Sequence, residues 1–287
     1  MRIIDSTKNM NVFKATWKYF IDKGAYLLLI SVAPSLFIPF LLSPSSTLYY
    51  LFEYKTINPQ NFGDMYLQMR SLPFSYWYLG LIGLVLLVFS IAITFGVIDR
   101  HMRIGEFTVS PSRVKNRLNY NILTALRFGI TAFAAMELSN LLTSVLYYLW
   151  WVTFKSGATW LVFSIFTLLL NQLIMLVVMS WLILWSPYCL HTGLKAKDAI
   201  VNAVRSMSGR VIRTTFTLFS CVAPIELVMI ITSALNAGVI AQFLLDVISY
   251  MVVVPFYITL VYTLFYDVTG TERMDYVRKK KDIWSKK

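Results

Sequence analysis

The stretch Thr192–Leu218, TGLKAKDAIVNAVRSMSGRVIRTTFTL, combines two kinds of helix in one run. Between Ala196 and Val211 the apolar residues recur every three or four positions, which predicts a helix with one apolar face. Basic and other polar residues occupy the opposite face, and a cationic amphipathic helix of this kind lies in a membrane interface. Gly209 weakens that helix, and an apolar segment of membrane-spanning character begins at Thr214. The stretch therefore predicts an interfacial helix that leads into a transmembrane helix.

The same pattern occurs twice earlier in the chain, in Asn11–Gly24 and in Ser110–Leu126. Residue identity between the three segments is low, so any repeat is one of pattern. Each segment precedes a pair of apolar runs. We therefore predict an all-α, polytopic integral membrane protein whose six transmembrane helices form three hairpins, each preceded by an amphipathic helix on the cytoplasmic face. The predicted units are 1–98, 110–185 and 192–265 of a single transmembrane domain, 1–265, which a cytoplasmic basic tail, 266–287, follows.

The composition is that of a membrane protein. Of the 287 residues, 57% are hydrophobic and 14% are charged, whereas about a quarter of a soluble domain is charged. This balance excludes a large soluble core. Each apolar run is near the roughly 20 residues that cross a bilayer. The predicted spans are Ala25–Leu42, Tyr76–Ile98, Ile122–Leu149, Trp160–Trp185, Thr214–Leu235 and Val239–Phe265.

The basic residues predict the orientation of the chain. If both termini are cytoplasmic, 23 of the 26 lysines and arginines fall on the inner side. Only Lys55, Arg70 and Lys155 fall in the outer loops, and this asymmetry favours a cytoplasmic N-terminus and C-terminus. It also accounts for the net charge of +12 without a nucleic acid partner. We expect the inner face to attract anionic lipid headgroups.

The segments outside the spans are expected to be small. In the outer loop, Tyr49–Tyr54 and Asn61–Met69 are typical of short interfacial helices. The tail, with Arg278–Lys281, is expected to be solvated or associated with lipid, although docking of a cytoplasmic partner is an alternative.

Polar residues inside the predicted spans are the candidate functional residues. Carboxyl and amide groups recur at similar depths in four spans, and such residues face protein or water and often mark function. Because no lysine or arginine is predicted at that depth, we expect Glu137 and Glu226 to be protonated. One hypothesis is a proton or cation relay or a polar substrate site; the other, which we favour, is hydrogen bonding between helices. The candidate residues are Glu137, Asn140, Asn171, Gln172, Glu226 and Asp246.

Catalytic and metal-binding motifs do not emerge from the sequence. The chain has two histidines, His101 and His191, and their spacing from Asp99, Glu106 and Cys189 matches no metal-ligand pattern. It has no phosphate-binding glycine loop, no HExxH, no GxSxG and no CxxC. We therefore predict no catalytic residues, no metal and no cofactor, and a protein that is not an enzyme. The cysteines, Cys189 and Cys221, are expected to be reduced.

Two groups of residues resemble a known family. Phe13, Trp17, Phe20 and Gly24 form the first group; the second is Ala199, Arg205, Ser206, Met207, Gly209 and Phe216. Both resemble uncharacterised six-span bacterial membrane proteins related to the membrane domain of glycerophosphodiester phosphodiesterases. In that family the phosphodiesterase activity belongs to a separate soluble barrel. The resemblance therefore implies a membrane module without that activity, in a bacterial plasma membrane, and transfers no functional residues.

Three classes of function remain compatible with the sequence. The favoured class is a non-enzymatic component of the plasma membrane that binds lipid or partner proteins. This class includes a subunit of a larger membrane assembly. The alternative is a transporter or channel-like protein that uses Glu137, Glu226 and Asp246. The least supported class is an enzyme acting on lipid, which would require a reactive group around His101 or His191.

Overall fold

The computed structural model describes residues 12–52, 61–70, 76–107, 111–154 and 157–275. These residues are almost entirely helical and include no strand. Six helical segments are long and apolar enough to cross a membrane, which confirms the predicted multi-pass helical membrane protein. The helices within the described ranges are α1 Val12–Phe37, α2 Pro44–Phe52, α3 Phe62–Arg70, α4 Trp77–Ile104, α5 Pro111–Phe154, α6 Gly157–Leu182, α7 Trp185–Thr192, α8 Ala196–Met207, α9 Val211–Ala234 and α10 Val239–Thr269.

Only one of the three predicted amphipathic helices is a separate element. α8 ends at Met207, and the chain turns at Gly209, whose φ of 77° suits glycine. The segments Asn11–Gly24 and Ser110–Leu126 were predicted to be distinct from the spans that follow them. Instead, their described parts are continuous with those spans in α1 and α5. The physical reason is the lack of a strong helix breaker, because neither junction contains proline.

The six long helices form a closed ring. Going around it, α1 contacts α4, α4 contacts α5, α5 contacts α6, α6 contacts α9, α9 contacts α10, and α10 returns to α1. The contact between α1 and α10 is the most extensive in the structure. The first and last spans of the chain therefore close the bundle.

One end of the bundle, which we call the basic end, is densely packed. The contact between Tyr19 and His101 joins the first part of α1 to the end of α4. The contact between Tyr266 and Asp99 joins the end of α10 to α4. A large cluster of buried apolar side chains extends from this end into the bundle. Its largest members include Phe95, Phe256, Tyr262, Leu27 and Ile91.

The described part of the tail is exposed at residues 269–272 and packed at Arg273. α10 continues to Thr269, beyond the predicted end of the span. Arg273 is only 8% exposed and lies over the ring of Tyr19, 5.7 Å from its centre. The prediction of a solvated or lipid-associated tail is therefore wrong at Arg273. Arg278–Lys281 lies outside the described residues.

The opposite end of the bundle holds α2 and α3, so we call it the α2–α3 end. The two short helices were predicted close to these positions, but as interfacial helices. α2 is instead largely buried, and it contacts α3, α6, α9 and α10, while α3 lies along α5. The predicted interfacial location is therefore wrong for α2, because the polar groups that hold this helix come from distant parts of the chain.

Gly80 and Gly83 of α4 allow the backbone around the end of α1 to approach closely. A Cβ atom on Gly83 would lie 2.6 Å from the backbone nitrogen of Ile38 and 2.8 Å from the carbonyl carbon of Phe37. We expect Gly83→Ala to lower the free energy of unfolding by about 2–3 kcal/mol, because backbone atoms must move to admit the methyl group. Unfolding of the purified protein in detergent, followed by tryptophan fluorescence, measures this loss.

Gly24→Ala is the matched control for that substitution. Gly24 also lies inside a helix, but its added Cβ would be 4.0 Å from the nearest side-chain atom, which belongs to Phe20. This variant should be at least as stable as the wild type, since alanine favours a helix by about 1 kcal/mol over glycine. Equal destabilisation by both substitutions would contradict the close approach of α4.

Candidate functional site

The α2–α3 end gathers most of the candidate polar residues, and α2 organises it. Ser43 precedes α2 and Pro44 is its first residue, a combination that favours the start of a helix. The Ser46 backbone N–H donates to Ser43 Oγ at 3.2 Å. The start of α2 is buried in the bundle, so its remaining N–H groups need partners from other helices.

Asp246 of α10 accepts from one of these N–H groups and from two hydroxyl groups beside it. The Ser45 backbone N–H donates to Asp246 Oδ1 at 3.0 Å, and the Ser45 hydroxyl donates to Oδ2 at 2.9 Å. The Ser43 hydroxyl also donates to Oδ2. Asp246 is fully buried, and no ion pair joins it to another described residue. It therefore caps the first turn of α2 from another helix, where the partial positive charge of the helix start stabilises a carboxylate.

Glu137 of α5 holds α3 in a similar way. Arg70 Nε lies 2.8 Å from Glu137 Oε1, and the Tyr66 hydroxyl donates to Glu137 Oε2 at 2.7 Å. Burial, and then the hydrogen bond to Glu137, raise the pKa of the Tyr66 hydroxyl, which keeps it a donor. The expectation that Glu137 has no cation at its depth is wrong. Arg70 was assigned to an outer loop, but α3 carries it back along α5.

A cavity of about 210 Å³ lies between α2, α5 and α6. We call it the amide cavity because Asn140, Asn171 and Gln172 all line it. Apolar side chains, including those of Met136 and Met175, and several hydroxyl groups complete the lining, which contains no charged residue. Three of the six candidate residues thus come together around one space.

The three amides differ in their hydrogen bonds. Asn171 Nδ2 donates to Ser139 Oγ and to Thr143 Oγ1, each at 2.7 Å, and so joins α6 to α5. This contact is the hydrogen bonding between helices that was favoured from the sequence. The side-chain amides of Asn140 and Gln172 have no hydrogen-bond partner in the described part of the chain. They are free to bind a ligand or water in the amide cavity.

Glu226 does not join the other candidates. It is half-buried in α9, does not line the amide cavity, and its carboxyl group makes no hydrogen bond to a described residue. The three carboxyl groups therefore occupy three separate settings. Sequence reasoning missed Ser43, Ser45, Tyr66 and Arg70. The one available signal was Ser43-Pro44, a helix-start pattern placed directly after a span.

The histidines at the basic end are engaged in packing contacts. His101 Nδ1 lies 3.0 Å from the Tyr19 hydroxyl, and His191 Nε2 lies 3.2 Å from Asp99 Oδ1. Glu106 pairs instead with Arg100, at 2.9 Å. Within the described ranges, no three histidine, cysteine or acidic side chains are grouped as metal ligands would be. No protein-family model, curated protein or solved structure matches the chain.

Proposed function

We propose that the protein is a non-enzymatic integral component of the plasma membrane that binds the neutral glycerol–ester part of a membrane lipid in the amide cavity. The observation that carries this proposal is the pair of amides, Asn140 and Gln172, that line the cavity without an internal partner. An amide that is buried or half-buried without a partner gains about 1 kcal/mol from each hydrogen bond that it forms with a ligand. Ester carbonyls and hydroxyls provide the acceptors and donors that an amide requires.

The chemistry of the lining favours an uncharged ligand. A phosphate or an ammonium group would lose its hydration without meeting an opposite charge, since the lining contains none. The volume of about 210 Å³ is below the roughly 300–1,000 Å³ of sites that enclose a whole small molecule. The cavity therefore suits one polar part of a larger molecule whose acyl chains stay in the bilayer. The exposed side chains of Leu169 and Leu173, beside the lining residues of α6, offer such chains an apolar surface.

The packing of the basic end supports binding over conduction. The large buried cluster there would have to separate before a solute could pass. Glu137 and Asp246, which a transporter was expected to use, are both engaged in holding α2 and α3. The transport alternative would therefore need a second arrangement of the bundle.

The orientation belongs to the same proposal. With both termini cytoplasmic, the basic end faces the inner leaflet, and α8 lies in its interface. Ala199, Ala203 and Met207 of α8 are buried against the bundle, while Ile200 and Val204 are exposed. This exposed apolar strip suits contact with acyl chains. The three-unit pattern, the family resemblance, the bacterial plasma membrane and protein partners remain predictions.

Binding of a short-chain diacylglycerol to the purified protein tests the amide cavity. We expect saturable binding of one molecule per chain. Binding is measured by the quenching of tryptophan fluorescence by a diacylglycerol that carries a brominated acyl chain. Asn140→Leu with Gln172→Leu should weaken binding at least about tenfold, because two hydrogen bonds of about 1 kcal/mol are lost.

Asn119→Leu makes the same chemical change at an exposed position of α5 and is the matched control. It should bind like the wild type, and thermal unfolding should show that all variants are folded. Unchanged affinity in the double variant would exclude the amide cavity as the site. Solute flux in vesicles that depends on Glu226 would instead favour a transporter.

A further inference from the structure

A second surface, at the basic end, combines aromatic and cationic side chains between α1 and α9. The rings of Phe13 and Phe216 lie 6.1 Å apart, and Trp17 Nε1 donates to Ser220 Oγ at 3.0 Å. Each α9 partner lies 203 positions after its α1 partner, so the two helices run in the same direction from the basic end. We call Phe13, Trp17 and Phe216 the aromatic seam.

The seam is open to the outside of the bundle. Phe216 is 63% exposed and Ile212, one turn below it, is 85% exposed. In a bilayer these side chains face acyl chains, and the indole of Trp17 is of the kind that collects at the headgroup level. The surface therefore has the apolar part of a lipid-binding site.

Cations border the seam without balancing acids. Lys14 is next to Phe13, and Arg213 lies one turn before Phe216 on the same face of α9. Both side chains are exposed, and neither forms an ion pair with a described residue. The neighbouring acid Asp267 is already paired with Arg210, and Asp22 lies two turns above Lys14 on α1. The charge at the level of the seam is therefore positive.

We propose that the aromatic seam, with Lys14 and Arg213, binds the headgroup of an anionic phospholipid, whose acyl chain lies along Phe216. The cations meet the phosphate and any further negative charge, and the rings of the seam cover the first part of the acyl chain. This site is separate from the amide cavity and does not depend on a ligand there. It rests only on a bundle that is embedded in a bilayer.

Lipid binding to the purified full chain, measured by native mass spectrometry, tests the proposal. The probes are phosphatidylglycerol and phosphatidylcholine with identical acyl chains. We expect the wild type to prefer phosphatidylglycerol. Lys14→Gln with Arg213→Gln should weaken the binding of phosphatidylglycerol about tenfold or more, since each cation at the surface contributes about 1 kcal/mol. The same double variant should leave the binding of phosphatidylcholine unchanged.

Two further variants make the result specific. Lys195→Gln with Lys197→Gln removes two exposed cations from α8 and its start, and should preserve the preference. Phe216→Ala should weaken both lipids, because it removes apolar contact and not charge. An equal loss of preference in both double variants would overturn the site and leave only general attraction to the basic end. An unchanged preference in the Lys14 and Arg213 variant would overturn it as well.

Discussion

Replacing Asp246 with alanine is expected to lower the free energy of unfolding by about 3–5 kcal/mol, the largest loss we predict for a single substitution. The carboxylate accepts hydrogen bonds from the Ser45 backbone, from Ser45 Oγ and from Ser43 Oγ, in a fully buried setting. Alanine would leave the Ser45 backbone N–H without an acceptor. The two hydroxyls would keep only longer contacts, from Ser45 Oγ to the Gln242 carbonyl at 3.5 Å and between Ser43 Oγ and Ser45 Oγ at 3.2 Å. Denaturant unfolding in detergent, followed by tryptophan fluorescence, measures the loss.

Asp246→Asn is the conservative comparison. Asparagine is also a good helix cap, so its oxygen can still accept from Ser45, and the loss should be only about 1–2 kcal/mol. A cysteine at Leu48 of α2, in a background where Cys189 and Cys221 are serine, reports the position of α2. It should react faster with a thiol reagent after Asp246→Ala. Slow reaction together with a loss below about 1 kcal/mol would contradict the capping role.

Arg70→Ala is expected to cost about 2–4 kcal/mol, because it leaves Glu137 charged and partly buried without its cation. The ion pair is not fully enclosed: the side chains of Arg70 and Glu137 are 27% and 16% exposed, which places the loss below that of a fully buried pair. Glu137→Gln should cost less, since glutamine can still accept from Tyr66. The same unfolding measurement applies to both.

A double substitution separates the pair from its surroundings. Arg70→Met with Glu137→Met removes both charges and should be more stable than Arg70→Ala alone, since no unpaired charge remains. A double-mutant cycle with Arg70→Met, Glu137→Met and the double variant should give a coupling energy above about 1 kcal/mol. Additive effects of the two substitutions would show that Arg70 and Glu137 do not act as a pair.

The six spans were predictable because each is encoded locally. A run of about 20 apolar residues predicts a membrane-spanning helix without information from the rest of the chain. The start of α4, for example, follows from Tyr76 and Trp77, aromatic residues of the kind found at membrane interfaces. The amides that line the cavity were also recognisable, since a polar residue within a span is conspicuous in any sequence.

The roles of the acidic residues were not predictable, because those roles depend on distant partners. Asp246 acts on Ser43, 203 positions earlier, and Glu137 acts on Arg70, 67 positions earlier. Hydropathy assigned Arg70 to the outside, and nothing local indicates that α3 returns to α5. The prediction of separate amphipathic helices was wrong for a different reason. Periodicity reports which face of a helix is apolar, and it does not report whether the helix continues into the next segment.

The capping of α2 by α10 has a consequence for the order of assembly during synthesis. α2 leaves the ribosome among the first elements, whereas the carboxylate that holds its first turn belongs to the last span. Until α10 is inserted, the donors of Ser43 and Ser45 lack that acceptor, and α1 lacks its most extensive neighbour. The α2–α3 end therefore reaches its final arrangement only after translation is nearly complete. The nascent chain must keep a polar segment beside the bilayer until then.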